Sequence, residues 1–129
     1  MTQSNGNTGG VALVAIDVAS KQNAVLVQLP GGARKKLTVT SDLKGYRELA
    51  HYLKKLKAPC KIGFEATGNY HRTLAFYLRE QGFELELISS VAAARTREAM
   101  YNSWDKNDPK DAQVILHMLQ TGLTQIYSL

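Results

Sequence analysis

A single cysteine, Cys60, excludes an internal disulfide and a cysteine-based zinc cluster, and its place at the head of an apolar run makes it a small core filler. The three histidines, His51, His71 and His117, are scattered without the spacing of a ligand set. No apolar run approaches the roughly 18 residues of a membrane span, and Met1 to Gly10 has neither the basic nor the apolar region of a signal peptide. The expected setting is therefore the cytoplasm, with no membrane partner. There is no phosphate-binding G-x-x-x-x-G-K-S/T loop, and Gly31-Gly32 reads as part of a hairpin turn.

What is present suits one ordinary domain. The chain has 129 residues, 44% of them hydrophobic, enough to fold around its own core. Sixteen Lys and Arg against eleven Asp and Glu give a net charge of +5, which is compatible with a polyanionic partner without demanding one. Residues 1–10 are polar and rich in Gly and Asn, and they read as a disordered tail.

The rest alternates short strands with amphipathic helices. Val11 to Asp17 is a continuous apolar run, as in a strand covered on both faces, and Ala24 to Leu29 is a second strand. After Pro30-Gly-Gly32, Arg34 to Thr40 places Leu37 and Val39 on one face, completing an antiparallel meander. From Ser41 the period changes: Ser41 or Asp42 can cap a helix whose apolar positions are Leu43, Tyr46, Leu49, Ala50, Leu53 and Leu56. Its other face, with Lys44, Arg47, Glu48, Lys54 and Lys55, reads first as a solvated surface and second as a nucleic-acid patch.

Cys60 to Glu65 is the next strand, and Asn69 is placed to cap a helix with Tyr70, Leu74, Tyr77 and Leu78 as its buried stripe. Gly82 suits a helix C-terminus, Phe83 to Ile88 is a fifth strand, residues 91–101 can be helical, and a last helix over 109–121 turns Ile115, Leu116 and Leu119 to the core. Residues 123–129 hold no visible closing element. The order βββαβαβα is that of an α/β fold of ribonuclease-H-like type, a mixed sheet with helices on both faces and strand one central beside strand four.

Carboxylates fall at telling places on that frame. Asp17 closes the first apolar run and Glu65 closes the fourth strand, each where a buried strand delivers a side chain to its carboxyl end. Charge there is costly unless it is paired or bound to metal. Near the C-terminus Asp105, Asp108 and Asp111 recur every three residues before the last helix. Capping alone explains much of this stretch: Asp108 is a good N-cap, Pro109 suits the first helical position, and Asp111 favours the positive end of the helix. Capping and metal binding are compatible, and the two strand-end acids tip the reading toward a metal-dependent site.

Ala15-Ile-Asp-Val18, Glu65-Ala-Thr-Gly-Asn-Tyr-His71 with Leu74-Ala75 behind it, and Lys106-Asn-Asp-Pro-Lys-Asp-Ala112 resemble the motif blocks of DEDD-type insertion-sequence transposases, relatives of the Piv DNA invertase. The likeness covers nearly all of the chain after the tail, and the order and spacing of the second and third blocks make it specific. It implies a RuvC-like catalytic domain over 11–129 in which Asp17, Glu65, Asp108 and Asp111 hold Mg²⁺ or Mn²⁺, with Asp105 outside the pattern. It further implies DNA as substrate, a structured guide RNA, a homo-oligomer, and a second domain bearing a catalytic serine. Ser89, Ser90 and Ser103 do not match that serine, and the chain reads as the N-terminal part of such a protein.

The chemistry fits the residue types. Clustered carboxylates clamp hard divalent cations, which favour oxygen ligands and stabilise the charge that develops in phosphodiester cleavage. Two other readings stay open on sequence alone: a junction-resolving nuclease of the same fold, and a non-catalytic nucleic-acid-binding module in which the acids only cap and pair.

Overall fold

In a computed structural model, the described residues are 10–66, 70–100 and 110–127. The proposed tail up to Asn7-Thr8-Gly9, the Thr67 to Asn69 turn and the stretch 101–109 lie outside them. The elements are β1 (Ala12–Asp17), β2 (Gln22–Gln28), β3 (Arg34–Thr40), α1 (Leu43–Lys55), β4 (Cys60–Glu65), α2 (His71–Glu80), β5 (Glu84–Ile88), α3 (Ser90–Ala99), α4 (Lys110–Thr121) and β6 (Gln125–Ile126). They form one mixed sheet of six strands in the order β3-β2-β1-β4-β5-β6. The meander β1-β2-β3 is antiparallel, β1 pairs in parallel with β4, and β4 in parallel with β5. The central pairing of strand one with strand four is as the sequence predicts.

Strand alternation divides the core into two layers. Ala12, Val14 and Ile16 of β1, with Cys60, Ile62 and Phe64 of β4, point to one face and pack against Tyr46, Leu49 and Leu53 of α1 and Leu74 and Leu78 of α2. Ala15 of β1 and Leu26 of β2 belong to the opposite layer, under Ala112, Val114, Ile115, Leu116, Met118 and Leu119 of α4. Burial of a large aliphatic side chain is worth about 1.5–3 kcal/mol, so the α4 stripe is the main anchor of the second layer.

Local chemistry starts and stops these helices. The Asp42 carboxylate accepts from the Gly45 amide at 2.8 Å and from the Thr40 hydroxyl at 2.7 Å, which makes Asp42 the cap of α1 and holds its carboxyl below the usual range, chiefly through the backbone hydrogen bond. Gly82 (φ 91°) and Gly122 (φ 75°) end α2 and α4 in the left-handed conformation, and the Phe83 and Leu123 amides reach back to the Leu78 and Met118 carbonyls at 3.2 and 2.9 Å.

Three expectations need correcting. Leu43 is half exposed rather than buried, because it is the first residue of α1 and lies by an open groove with Phe76 and Tyr77. Tyr70 is exposed because it precedes α2 as its N-cap, and His71 takes the inward place against Phe64 and Tyr127 instead. The end of the chain does hold a closing element: β6 pairs antiparallel with β5, and Arg79 donates to the Tyr127 carbonyl. Two residues are too few for any period to show, and the turn through Gly122 that aims them at the sheet is a backbone event.

Candidate metal centre at the carboxyl edge of the sheet

The face on which each strand-end acid lies follows from the period of two. Leu13, Ala15 and Asp17 share one face of β1, and Lys61, Gly63 and Glu65 share the matching face of β4. Ile16 is in register with Phe64, so Asp17 and Glu65 end neighbouring parallel strands side by side, on the layer that α4 covers. Gly63 lets that helix approach closely. A Cβ at Gly63 would stand 2.8 Å from Leu119 Cδ2, so glycine allows α4 to lie low over the strands and bring Asp111, in its first turn, toward the strand ends.

The fourth contributor is a cation. The Ser89 hydroxyl accepts from the Ala92 amide at 3.0 Å and caps α3, while the Ser90 hydroxyl donates to the Ala66 carbonyl at 3.2 Å. The second bond ties the start of α3 to the exit of β4. Two turns later Arg97 donates from Nε at 3.2 Å and from Nη2 at 2.9 Å to Asp111 Oδ1, and Nη2 stands 3.7 Å from Glu65 Oε1. Sequence reasoning missed this residue. The only signal for it is that Arg97 lies four positions after Ala93, the buried residue of α3, and neighbouring alanines blur that face.

Electrostatics mark Asp17 as the strained member. Burial raises its carboxyl pKa most, the charges of Asp111 and Glu65 raise it further, and Arg97 pulls it partly back. Asp17, Glu65, Asp111 and Arg97 are therefore one electrostatic unit. Asp108, the remaining acid of the expected set, lies outside the described residues, as do Asp105 and Ser103.

As a donor set the acids fit a hard divalent cation: all ligands are carboxylate oxygens, and their mutual repulsion is what such a cation relieves. Among the described residues no three acidic, histidine or cysteine groups are already arranged to hold an ion. Arg97 stands between Glu65 and Asp111 in the place where they would converge. The basic face of α1 lies in the other layer, across the sheet from these acids, and Lys54 donates to Gln81 Oε1. Among the described residues no helix is long and apolar enough to cross a membrane.

Solved structures share this architecture. A RuvC of Thermus thermophilus superimposes with a TM-score of 0.58 at 11% identity, covering 90% of this chain and 99% of that one. The structure described as T. thermophilus RuvC in complex with Holliday junction substrate gives 0.57 at 9% identity, covering 91% and 99%. At such identities the likeness establishes the fold, which is RuvC-like, of ribonuclease-H type. No curated protein matches the sequence. The family model of the IS110-type DEDD transposases, described as "Transposase", matches residues 14–128, a span that holds both strand-end acids and the whole of α4. The chain belongs to the DEDD transposase family.

Proposed function

We propose that this chain is the catalytic domain for metal-dependent DNA strand cleavage and strand transfer in insertion-sequence transposition, with Asp17, Glu65, Asp108 and Asp111 as metal ligands and Mg²⁺ or Mn²⁺ as the cofactor. The observation that carries the proposal is that β1, β4 and α4 bring Asp17, Glu65 and Asp111 to one edge, where burial first, and then the charges of the other two acids, raise the Asp17 carboxyl. Mg²⁺ bound there would supply Lewis-acid stabilisation of the charge that develops on the phosphodiester. The protein's own part is positional. Asp17 and Glu65 are fixed by adjacent strands, and Asp111 by the first turn of a helix over the same edge, so the backbone already brings the acids to one place.

On this reading the complete transposase works in the cytoplasm as a homo-oligomer, guided by a structured RNA, and completes strand transfer with a serine on a second domain. Residues 1–10 would then be a tail to a domain spanning 11–129. The RuvC architecture favours one second reading, a junction-resolving nuclease that acts without the other domain. Incubation of the purified chain with branched and linear duplex DNA, with and without Mg²⁺, separates the two. Mg²⁺-dependent cutting of branched DNA by this chain alone supports the resolvase; cutting that needs the serine-bearing protein supports the transposase. Cutting that is indifferent to Mg²⁺ and to Asp17→Asn contradicts both.

A further inference from the structure

Arg97 is a cation in a place prepared for a cation. Its guanidinium bridges Glu65 of β4 and Asp111 of α4, and its charge acts on Asp17 of β1, so it engages every described acid of the candidate centre. It is also held in a way that allows it to leave. The Arg97 side chain is 35% exposed and that of Asp111 49% exposed, and ion pairs so open to water are weak. The helix that carries it buries only Ala93 in full, so α3 is held by two small side chains, Ala92 and Ala93, by its Ser89 cap and by the Ser90 bond to Ala66. Glu65 is less open, at 19% exposed.

We propose that Arg97 is a placeholder for the divalent metal. It neutralises the acids while no ion is bound and is displaced from them when the ion binds, so that arginine and metal compete for the same oxygens. The inference rests on the metal-centre reading above. It differs from a purely structural role for the Arg97–Asp111 pair, in which the arginine would hold Asp111 in a binding-competent position and its loss would weaken metal binding.

The test is a Mn²⁺ titration of the 129-residue chain followed by thermal melting, for the parent, Arg97→Gln and Arg97→Lys. Competition predicts that Arg97→Gln reaches a given melting shift, relative to its own metal-free melt, at a Mn²⁺ concentration at least about threefold lower than the parent, while Arg97→Lys, which keeps the charge, stays near the parent. An equal or higher Mn²⁺ concentration for the same shift in Arg97→Gln overturns the placeholder. If the parent responds to Mn²⁺ and Asp17→Asn does not, that failure leaves the metal centre standing. If neither the parent nor Arg97→Gln responds, centre and placeholder fall together. A second measurement needs no folded variant: on Mg²⁺ titration of the parent, the Arg97 Nε–H resonance should move away from its hydrogen-bonded position, and a resonance unchanged at saturation overturns the proposal.

Discussion

Leu119 of α4 rests on Gly63 of β4 so closely that a Cβ at position 63 would lie 2.8 Å from Leu119 Cδ2 and 3.0 Å from Cγ. Two residues beyond Gly63 on the same strand face is Glu65, and two turns before Leu119 on the helix is Asp111. The contact therefore sets the height of α4 over the sheet and, with it, the gap between the acids.

Gly63→Ala should destabilise the fold by about 1–3 kcal/mol, because Leu119 is buried and has little room to turn aside. Adding Leu119→Val should recover part of that loss in urea or thermal unfolding. A Gly63→Ala protein of parental stability, or a double variant no better than the single one, would show that the helix is not held by this contact.

The pH dependence of the metal-free protein follows from Asp17. Its folded-state pKa lies above the ordinary carboxylate value of 3.8, so the fold favours the protonated form. Its contribution to stability is complete below the unfolded-state pKa and is lost as pH rises through the folded-state value. Asp17→Asn should accordingly be at least as stable as the parent at pH 7 without metal, and the advantage should shrink as pH falls through the raised folded-state value and be gone below about 4. Melts from pH 3 to pH 8 measure this; an Asp17→Asn protein less stable at pH 7 and equal at pH 3 would reverse the sign.

Much of this arrangement is legible in the sequence. Runs such as Ala-Leu-Val-Ala-Ile-Asp and Cys-Lys-Ile-Gly-Phe-Glu declare buried strands that end in an acid, and a period of two puts Asp17 and Glu65 on whichever face Ala15 and Gly63 share. The layer that face belongs to is not local information. Neither is Arg97: its function depends on two serines at the far end of α3 and on a helix beginning thirteen residues later, and its own surroundings, Ala-Arg-Thr-Arg-Glu, fit any solvated helix. β6 leaves no trace because two residues carry no period, and an aromatic such as Tyr70 at helical spacing looks the same inside a helix and one residue before it.

DNA binding should depend steeply on salt, since even two neutralised phosphates imply about a tenfold loss of affinity over a fourfold rise in salt. Arg95 is exposed on α3, on the side of the sheet that carries the acids, whereas Lys54 and Lys55 are on α1 in the opposite layer. Arg95→Ala should therefore lower affinity more than Lys54→Ala with Lys55→Ala. Fluorescence anisotropy over a salt series measures both effects, and a larger loss from the α1 substitutions would move the nucleic-acid surface to the other face.

A thermal melt series with and without Mn²⁺ tests the metal centre most directly. Metal at about 100 times its Kd should stabilise the parent by roughly 2.7 kcal/mol, a rise of about 10 °C for a domain of this size. Asp17→Asn and Asp108→Asn should lose most of that rise, and Asp105→Asn, outside the family pattern, should keep it. An Asp17→Asn protein that still gains the full shift would show that the acids at this edge are strand ends and caps, and no catalytic metal could then be assigned to them.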